Sequence, residues 1–472
     1  MQVPILNGIY TDGVSDFRTS YPRNLVPVPK QQGISQGYLR PADGIVQFAT
    51  GPGKDRGGVN WRGTCYRVMG TKLVSVSSLG VVTELGDVGN GGQVTFDYSF
   101  DRLGISSGGH LYYWDGITLT KVTDPDLGPV VDFLWVDGYF LTTDGTSLIV
   151  TELLDPTAVD PLKYGSSEAD PDPIVGVLKL RNEVYALNRY TIETFQNVGS
   201  DTNGFPFQRV EGAQMMRGAI GTYAACEMQL EDNVGVAFLG GARNEPPAVW
   251  FGNNGSTFSI STREIDTLLQ GYTEAQLALT VMEARTDKAH AWLYVHLPDQ
   301  TLVYDAKASQ AVNEPVWFIL TTSLVGTGQY QARNLVWCYD QWLCGDPTAS
   351  RVGTLTTAVS SHYGQVNGWE FGTVIIYNEG RGAIFHELEL VCITGNVALE
   401  ADPTIWTSYT LDGQTWSQER PRSAGKQGER IKRLAWLQQG SMRHWRCQRF
   451  RGNSDAHISV ARLEAAVEGL NV

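Results

Sequence analysis

Charge is scarce in this sequence: Asp, Glu, Lys and Arg make up 18% of its 472 residues, against about 25% in an average globular chain. Basic residues are the scarcer sign, 36 against 50 acidic, for a formal net charge of −14. That balance excludes a protein that grips duplex nucleic acid over its whole surface, because the phosphate backbone demands basic surface. No run approaches the ~18 consecutive apolar residues of a membrane-crossing helix, so any membrane contact is expected through loops or partners. The opening MQVPILNGIYTDG has no basic region, carries Pro4 and breaks its apolar run at Asn7-Gly8, so it does not read as a secretory leader. Cysteine is sparse too. The six thiols (Cys65, Cys226, Cys338, Cys344, Cys392, Cys447) form no CxxC pair and are expected to be reduced and mostly buried; the alternative is one disulfide between Cys338 and Cys344.

What is abundant is turn-forming and apolar. Gly numbers 52 and hydrophobic residues reach 42%, where average usage gives only about 7% Gly. The length suggests two to four domains at about 150 residues each. From Trp61 to Ser360, runs of Val, Leu, Ile, Tyr, Phe and Trp end repeatedly at Gly, Asp or Asn, the pattern of successive β-hairpins. Leu111 to Trp114 turns at Asp115-Gly116, Phe133 to Val136 turns at Asp137-Gly138, and a further Asp144-Gly145 leads into Ser147 to Thr151. Propeller blades of four short strands take about 40 to 50 residues, so the fold class is all-β, a six- or seven-bladed β-propeller. Stacked sandwiches are the rival architecture, since no blade signature such as a WD dipeptide recurs.

The flanks read differently. Residues 1–60 carry Pro22, Pro27, Pro29, Pro41 and Pro52 and suit an N-terminal arm or platform; 61–360 is the propeller, and 361–472 a C-terminal β-sandwich-like domain. Its strands are expected at Thr373 to Tyr377, Phe385 to Ile393, Thr404 to Thr410, Lys432 to Leu437 and His457 to Val460. Two short helices are expected near 262–285, where Ser261-Thr262-Arg263-Glu264 and Thr273-Glu274-Ala275-Gln276 carry capping patterns.

The end of the chain is basic. Residues 419–462 hold 11 Lys or Arg against three acids, a local net of +8 that leaves −22 for the remainder. Arg430, Lys432, Arg433, Arg443, Arg446, Arg449 and Arg451 are the candidate contact residues toward another subunit, a partner or DNA. Trp445 and Phe450 interleave with them, which suits phosphates and stacked bases, an acidic protein surface, or a plain solvated face.

Several catalytic patterns are nearly present. Gly104-Ile105-Ser106-Ser107-Gly108, with His110 close by, spells a nucleophile elbow, but Gly109 to Trp114 reads as another strand, where an elbow requires a helix. His386-Glu387 has no second His at helical spacing. His290 and His296 share one face of a strand but lie about 20 Å apart, too far for one ion, and are expected at the surface or the core edge. Asp124, Asp126, Glu168, Asp170 and Asp172 make acidic loops that Pro171 and Pro173 explain as rigid turns rather than calcium ligands. Gly51 to Gly58 lacks the spacing of a phosphate loop. Asp412-Gly413 with Trp416 resembles the Asp-box hairpin of sialidases, without the arginine cluster and repeated boxes that such an enzyme needs. No catalytic, metal or cofactor residue is assigned.

The strings GYLRP (37–41), YRVMGTKLV (66–74), GAIGTY (218–223), YTEA (272–275), HLPDQTLVYD (296–305) and CGD (344–346) occur in an order that resembles the tail nozzle, or packaged-DNA stabilisation, proteins of short-tailed bacteriophages. The resemblance spans nearly the whole chain and implies a structural, non-enzymatic virion protein, assembled in the bacterial host cytoplasm. It implies a homohexameric ring below the portal-adaptor ring that extends the DNA channel and retains packaged double-stranded DNA. Tailspikes or fibres and a tip needle or plug are the further partners it implies. Two other functions stay open: a propeller that binds host glycan, which needs Trp61, Trp114, Trp135 or Trp250 exposed, and one that degrades polysaccharide, which needs clustered carboxylates or arginines at its mouth.

Overall fold

The computed structural model describes residues 1–6, 8–11, 17–30, 37–199, 204–230, 233–287 and 290–470. The chain is all-β apart from three short helices among the described residues, and it divides into two compact units. One comprises Gln47–Pro298 with Gln331–Thr354; the other comprises Met1–Val46, Asp299–Tyr330 and Leu355–Val472.

The first unit is a succession of antiparallel sheets. Asp55–Trp61, Thr64–Met69, Lys72–Val76 and Val82–Asp87 make the first sheet, and Thr95–Tyr98, Leu103–Ser107, His110–Trp114 and Leu119–Lys121 the second. Asp132–Val136 opens the third, Ile174–Leu180 the fourth and Ala225–Leu230 lies in the fifth. The hairpin Val281–Asp287/His290–His296 and the strands Arg333–Cys338, Gln341–Gly345 and Arg351–Thr356 come next. Local chemistry sets the turns. Asp137 and Gly138 both take positive φ, 49° and 94°, as a two-residue hairpin turn of the right twist requires. The Asp115 and Asp144 carboxylates accept backbone N–H groups two and three residues on, which fixes the tight loops that the sequence marked.

Each sheet packs its apolar face on the next. Trp61, Val68, Leu103 and Trp114 join the first two sheets, Leu111, Tyr113, Phe133 and Phe140 the second and third, and Leu134, Leu148, Val184 and Phe195 the third and fourth. Cys65, Val74, Val336 and Leu343 join the strands at 333–345 back to the first sheet. Each fully buried Val, Leu or Phe contributes about 1.5–3 kcal/mol. Burial between neighbours therefore closes the succession on itself, the packing of a β-propeller.

The second unit holds two large sheets, beside the hairpin Gly8–Thr11/Phe17–Ser20 and the paired strands Thr301–Asp305 and Trp317–Leu320. Leu25–Pro29, Gly37–Pro41, Val460–Gly469, Ala383–Cys392 and Leu434–Leu437 run in that order, with Gln2–Val3 added on Val460–Gly469 and Ser441–Met442 on Ala383–Cys392. Pro27 and Pro29 sit on the edge strand, where a missing N–H costs no ladder bond. Gly368–Gly372, Trp445–Asn453, Thr404–Thr410 and Arg420–Ser423 form the other sheet, with Ile376–Tyr377 also on Trp445–Asn453. Between the sheets lies a core of Leu25, Leu39, Phe385, Leu388, Leu463, Phe371, Ile405 and Phe450. Trp369, Phe371 and Phe450 stack in a row that ends edge-on at Trp436.

Two of the three helices, Arg263–Leu269 and Glu274–Leu277, begin at the caps Thr262 and Thr273 that the sequence marked, the second with a complete capping box. From Val281 the chain is already a strand. The third helix, Ala306–Val312, was not foreseen: Asp305 caps its start and Asn313, at φ 55°, its end. Trp445–Asn453 was also unforeseen, and the last strand runs from Val460 to Gly469 rather than from His457. The N-terminal segment supplies strands to the sandwich sheet, more order than an extended arm. All six cysteines are free thiols, Cys338 and Cys344 included.

Candidate functional site

The basic segment is organised by the strand Trp445–Asn453. Strand alternation sends Arg446, Gln448 and Phe450 to one face and Arg449 and Arg451 to the other. Arg446 is fully buried. Its guanidinium donates to Gln448 Oε1 at 2.8 and 3.1 Å and to the Gln439 carbonyl at 2.6 Å, and lies 3.8 Å from the Tyr409 ring centre and 4.4 Å from that of Phe385. Burial pulls its pKa down to about 10. Arg446 is thus spent inside the sandwich.

On the opposite face Glu419 takes both Arg451 and, at 3.8 Å, Arg449. Arg449 stacks 4.2 Å from the Trp416 ring, and Arg451 lies 5.8 Å from Trp406. Arg23 joins this face, 3.7 Å from Glu370, with its pKa lowered by burial and by Arg451 and Arg449 nearby. Elsewhere Arg433 spans Glu387 at 2.5 Å and Glu389 at 2.6 Å, Lys432 meets Glu429 at 3.1 Å and Arg462 meets Glu464 at 2.7 Å. Arg420 and Arg422 donate to the carbonyls of Gln438 and Ala435. Lys426, Arg430 and Arg443 are exposed cations whose charged groups make no hydrogen bond or ion pair among the described residues. The run that reads as +8 in sequence gains three acidic partners from outside it, Glu387, Glu389 and Glu464, which lower the local net to +5.

A second candidate is the axis of the sheet ring. The first-unit strands Asp55–Trp61, Thr95–Tyr98, Asp132–Val136, Ile174–Leu180, Ala225–Leu230, Val281–Asp287 and Arg333–Cys338 neighbour one another in that order and return to the start. They line a partly open recess of 280 Å³ bordered by Gln93, Asp132, Tyr223, Glu283 and Asn334. Every carboxylate oxygen here is held: Asp132 takes Thr95 Oγ1 at 2.6 Å and the Val177 N–H at 3.0 Å, and Glu283 takes the N–H groups of Asn334 and Leu335 and the His296 ring at 2.7 Å. Burial raises the Asp132 carboxyl to about 6. Beside them Arg67 grips Asp55 through two bonds, 2.6 and 3.0 Å, both side chains being fully buried. A Cβ on Gly58 would come 2.8 Å from Arg67, and one on Gly345 would overlap Asp55. Close packing around an ion pair explains part of the glycine-rich run at 51–58.

The near-motifs resolve as structure. Ser106 and Ser107 are buried in the strand Leu103–Ser107, with Ser107 accepting from Arg56. His386 pairs with Glu468 on an exposed strand face. His296 is buried, not at a surface or edge, because Glu283 satisfies its ring and Tyr294 stacks on it. Asp172 accepts from Tyr190 N–H and Asp170 pairs with Arg243, while Asp124 accepts the N–H groups of Asp126 and Val159. Asp412 is bound by the Thr415 hydroxyl and by the N–H groups of Thr415 and Gln414, which holds its pKa well below the usual carboxylate range. Trp61 and Trp114 are core; Trp135 and Trp250 are half-buried under Lys179 and Arg217.

Family models described as "Bacteriophage P22 Gp10, beta-propeller" and "Bacteriophage P22 Gp10, beta-sandwich" match residues 1–360 and 368–468. The chain belongs to the P22 Gp10 family. Among curated relatives, the tail hub protein gp10 of Salmonella phage P22 is 30% identical over 462 residues, which cover 94% of each chain. Like others of the P22 Gp10 family, this chain is a structural protein of a bacteriophage tail, a virion component without an enzymatic role. Solved structures with partial likeness include the Pan2 WD40 domain of Neurospora crassa (10% identity, 67% of this chain and 96% of that one, TM-score 0.41) and the N-terminal domain of Nup159 (9% identity, 71% and 99%, TM-score 0.39). At those scores neither bears on the argument. Among the described residues no helix is long and apolar enough to cross a membrane.

Proposed function

We propose that copies of this chain form a sixfold ring below the portal-adaptor ring of the tail, extending the DNA channel, retaining the packaged genome and anchoring spikes or fibres and a tip plug. The observation that carries the reading is the narrow axis: a 280 Å³ recess lined by hydrogen-bonded carboxylates admits no duplex, so DNA passes between copies and not through one. We read the seven sheets around that axis as seven blades. The balance of charge supports the same picture. Six copies of a chain carrying −14 bring about −84, and a wall of that sign repels phosphate and lets the duplex slide.

In this reading 1–60 is the platform, 61–360 the propeller and 361–472 the terminal β domain. Of the seven candidate contact residues, Arg430 and Arg443 are free to meet a neighbouring subunit. Lys432, Arg433, Arg449 and Arg451 would meet one only through their existing carboxylate partners, and Arg446 serves the fold. The test is a cryo-EM reconstruction of the tail of intact particles with the chain labelled. Sixfold density around the channel beneath the portal is expected; density confined to peripheral fibres overturns the ring. Arg430→Glu with Arg443→Glu is expected to leave the fold intact and impair tail assembly.

A further inference from the structure

The two ends of the sheet ring differ. In an antiparallel sheet of four strands the turns from first to second and third to fourth strand lie at one end, and the turn from second to third at the other. At the first end four side chains stand almost free of the protein: Leu79 is 88% exposed, Phe100 87%, Ile117 86% and Leu154 100%. They sit on the turns of three successive sheets, and Trp337, 49% exposed, extends the patch to a fourth. The turns are in contact. Asn60 donates to the Trp337 carbonyl at 2.9 Å, Arg62 donates to the Phe100 carbonyl, and the Phe100 ring meets Trp135 edge-on at 6.1 Å. At the opposite end of this unit only Val131, Met216 and Leu279 are large apolar side chains left exposed among the described residues.

Apolar tips gathered this way mark an interface, since monomeric proteins seldom display large contiguous apolar patches. The charges between them choose the partner. Asp101, Asp115, Asp137, Asp155 and Asp340 stand on the same turns, against only Arg62 and Arg102. Arg102 is held by Asp101 at 2.7 Å and Arg62 is turned onto the Trp61 ring at 4.6 Å. Asp115 and Asp155 are kept ionised by the N–H and hydroxyl groups of their turns.

We infer that this end of the propeller is a docking surface for an apolar segment flanked by Lys or Arg, carried by another protein of the tail. The inference rests on the chain's place in the tail and not on the number of copies in the ring. Its apolar residues would lie among Phe100, Ile117 and Leu154, and its cations would meet the surrounding aspartates, which steer it in and penalise acidic competitors.

The test is photo-crosslinking in assembled particles with p-benzoylphenylalanine in place of Ile117. The expected product joins this chain to a different tail protein through a peptide rich in apolar residues with at least two Lys or Arg, and it falls at least fivefold in 0.5 M salt applied during assembly. A product between two copies of this chain, a product with an acidic peptide, or none at all in particles that contain the chain overturns the inference and leaves the tail role standing. Absence of the chain from tails would overturn that role as well. As a second measurement, Phe100→Ser with Ile117→Ser and Leu154→Ser changes side chains that pack on little. The triple variant is expected to keep its far-UV spectrum and lose at least tenfold of the crosslinked protein from purified tails; full retention overturns the inference.

Discussion

The propeller unit and the sandwich unit carry similar numbers of basic residues, 19 and 17, but 32 and 18 acidic ones, so the first bears −13 and the second −1. They also bury charge differently. At its axis the propeller unit encloses a matched pair, Asp55 with Arg67, together with Glu283 on His296. The sandwich encloses Arg446 without a carboxylate, satisfied by an amide, a carbonyl and two ring faces. The lesson is geometric. Sheets converging on an axis bring backbone N–H donors and carboxylates together from different strands, whereas the flat sandwich core satisfies its ion with side chains of its sheets and one loop carbonyl.

The sharpest way to break this contrast is to strand one charge. Asp55→Ala leaves Arg67 buried and unpaired, and a loss of about 4 kcal/mol is expected in chemical denaturation, read by amide exchange in peptides of the propeller unit. Arg446→Met removes an ion without stranding another. It orphans only Gln448 Oε1 and the Gln439 carbonyl, so a loss of about 1–3 kcal/mol in the sandwich is expected. Equal losses in the two would erase the difference.

Acid should drive the two units apart. In the sandwich unit His362 is buried, with Nδ1 at 2.9 Å from Thr322 Oγ1 and Tyr330 edge-on, and burial lowers its pKa to about 3. Its stabilising effect is present above the ordinary value near 6.5 and is lost as pH falls, about 3 kcal/mol by pH 4.5 at ~1.4 kcal/mol per unit. Asp132 in the propeller unit has the opposite sign. Its raised pKa of about 6 gives stability that is complete below about pH 4 and lost as pH rises through 6, so that acidification to pH 4.5 returns about 2 kcal/mol. His362→Gln should flatten the acid response of the sandwich peptides, and Asp132→Asn that of the propeller peptides. Parallel pH profiles in wild type and variants would contradict both.

Smaller effects calibrate the rest. Thr273→Ala removes the capping box of Glu274–Leu277, and about 1 kcal/mol of local protection should disappear in exchange at that helix alone. Arg433→Ala breaks a pair that is 60% exposed on the arginine side, and the unfolding midpoint should not move.

The sequence made the propeller legible because its turns are written in local chemistry: Asp115-Gly116, Asp137-Gly138 and Asp144-Gly145 each enforce a loop by backbone conformation or carboxylate bonding. The sandwich was harder to read. Trp445–Asn453 hides its alternation because the inward positions include Arg446 and Gln448, which a hydrophobic pattern scores as solvent. Ala306–Val312 is too short and too weakly amphipathic to show a period. The basic site was overcounted for a similar reason. A run of residues shows its own charges but not Glu387, Glu389 and Glu464, which the sheet brings beside it. The exposed tips Leu79, Phe100, Ile117 and Leu154 were invisible as a group, since single apolar residues in turns acquire meaning only when sheets align them.

Gln2–Val3 pairs in register with Leu463 and Glu464, and the Met1 amino group donates to the Ala465 carbonyl at 2.8 Å. The strand Gln2–Val3 is therefore paired only when Val460–Gly469 has been made. On a ribosome adding ~5–20 residues per second, about half a minute to a minute and a half separates the two. The propeller unit lacks only its strands at 331–354 when most of it has emerged, so it is ready well before the sandwich can close. A chain cut short would carry a finished propeller and an unpaired edge, exposed strand backbone of the kind that aggregates or is degraded. The sandwich sheet thus closes only after residues 460–469 have been made, late relative to the propeller unit.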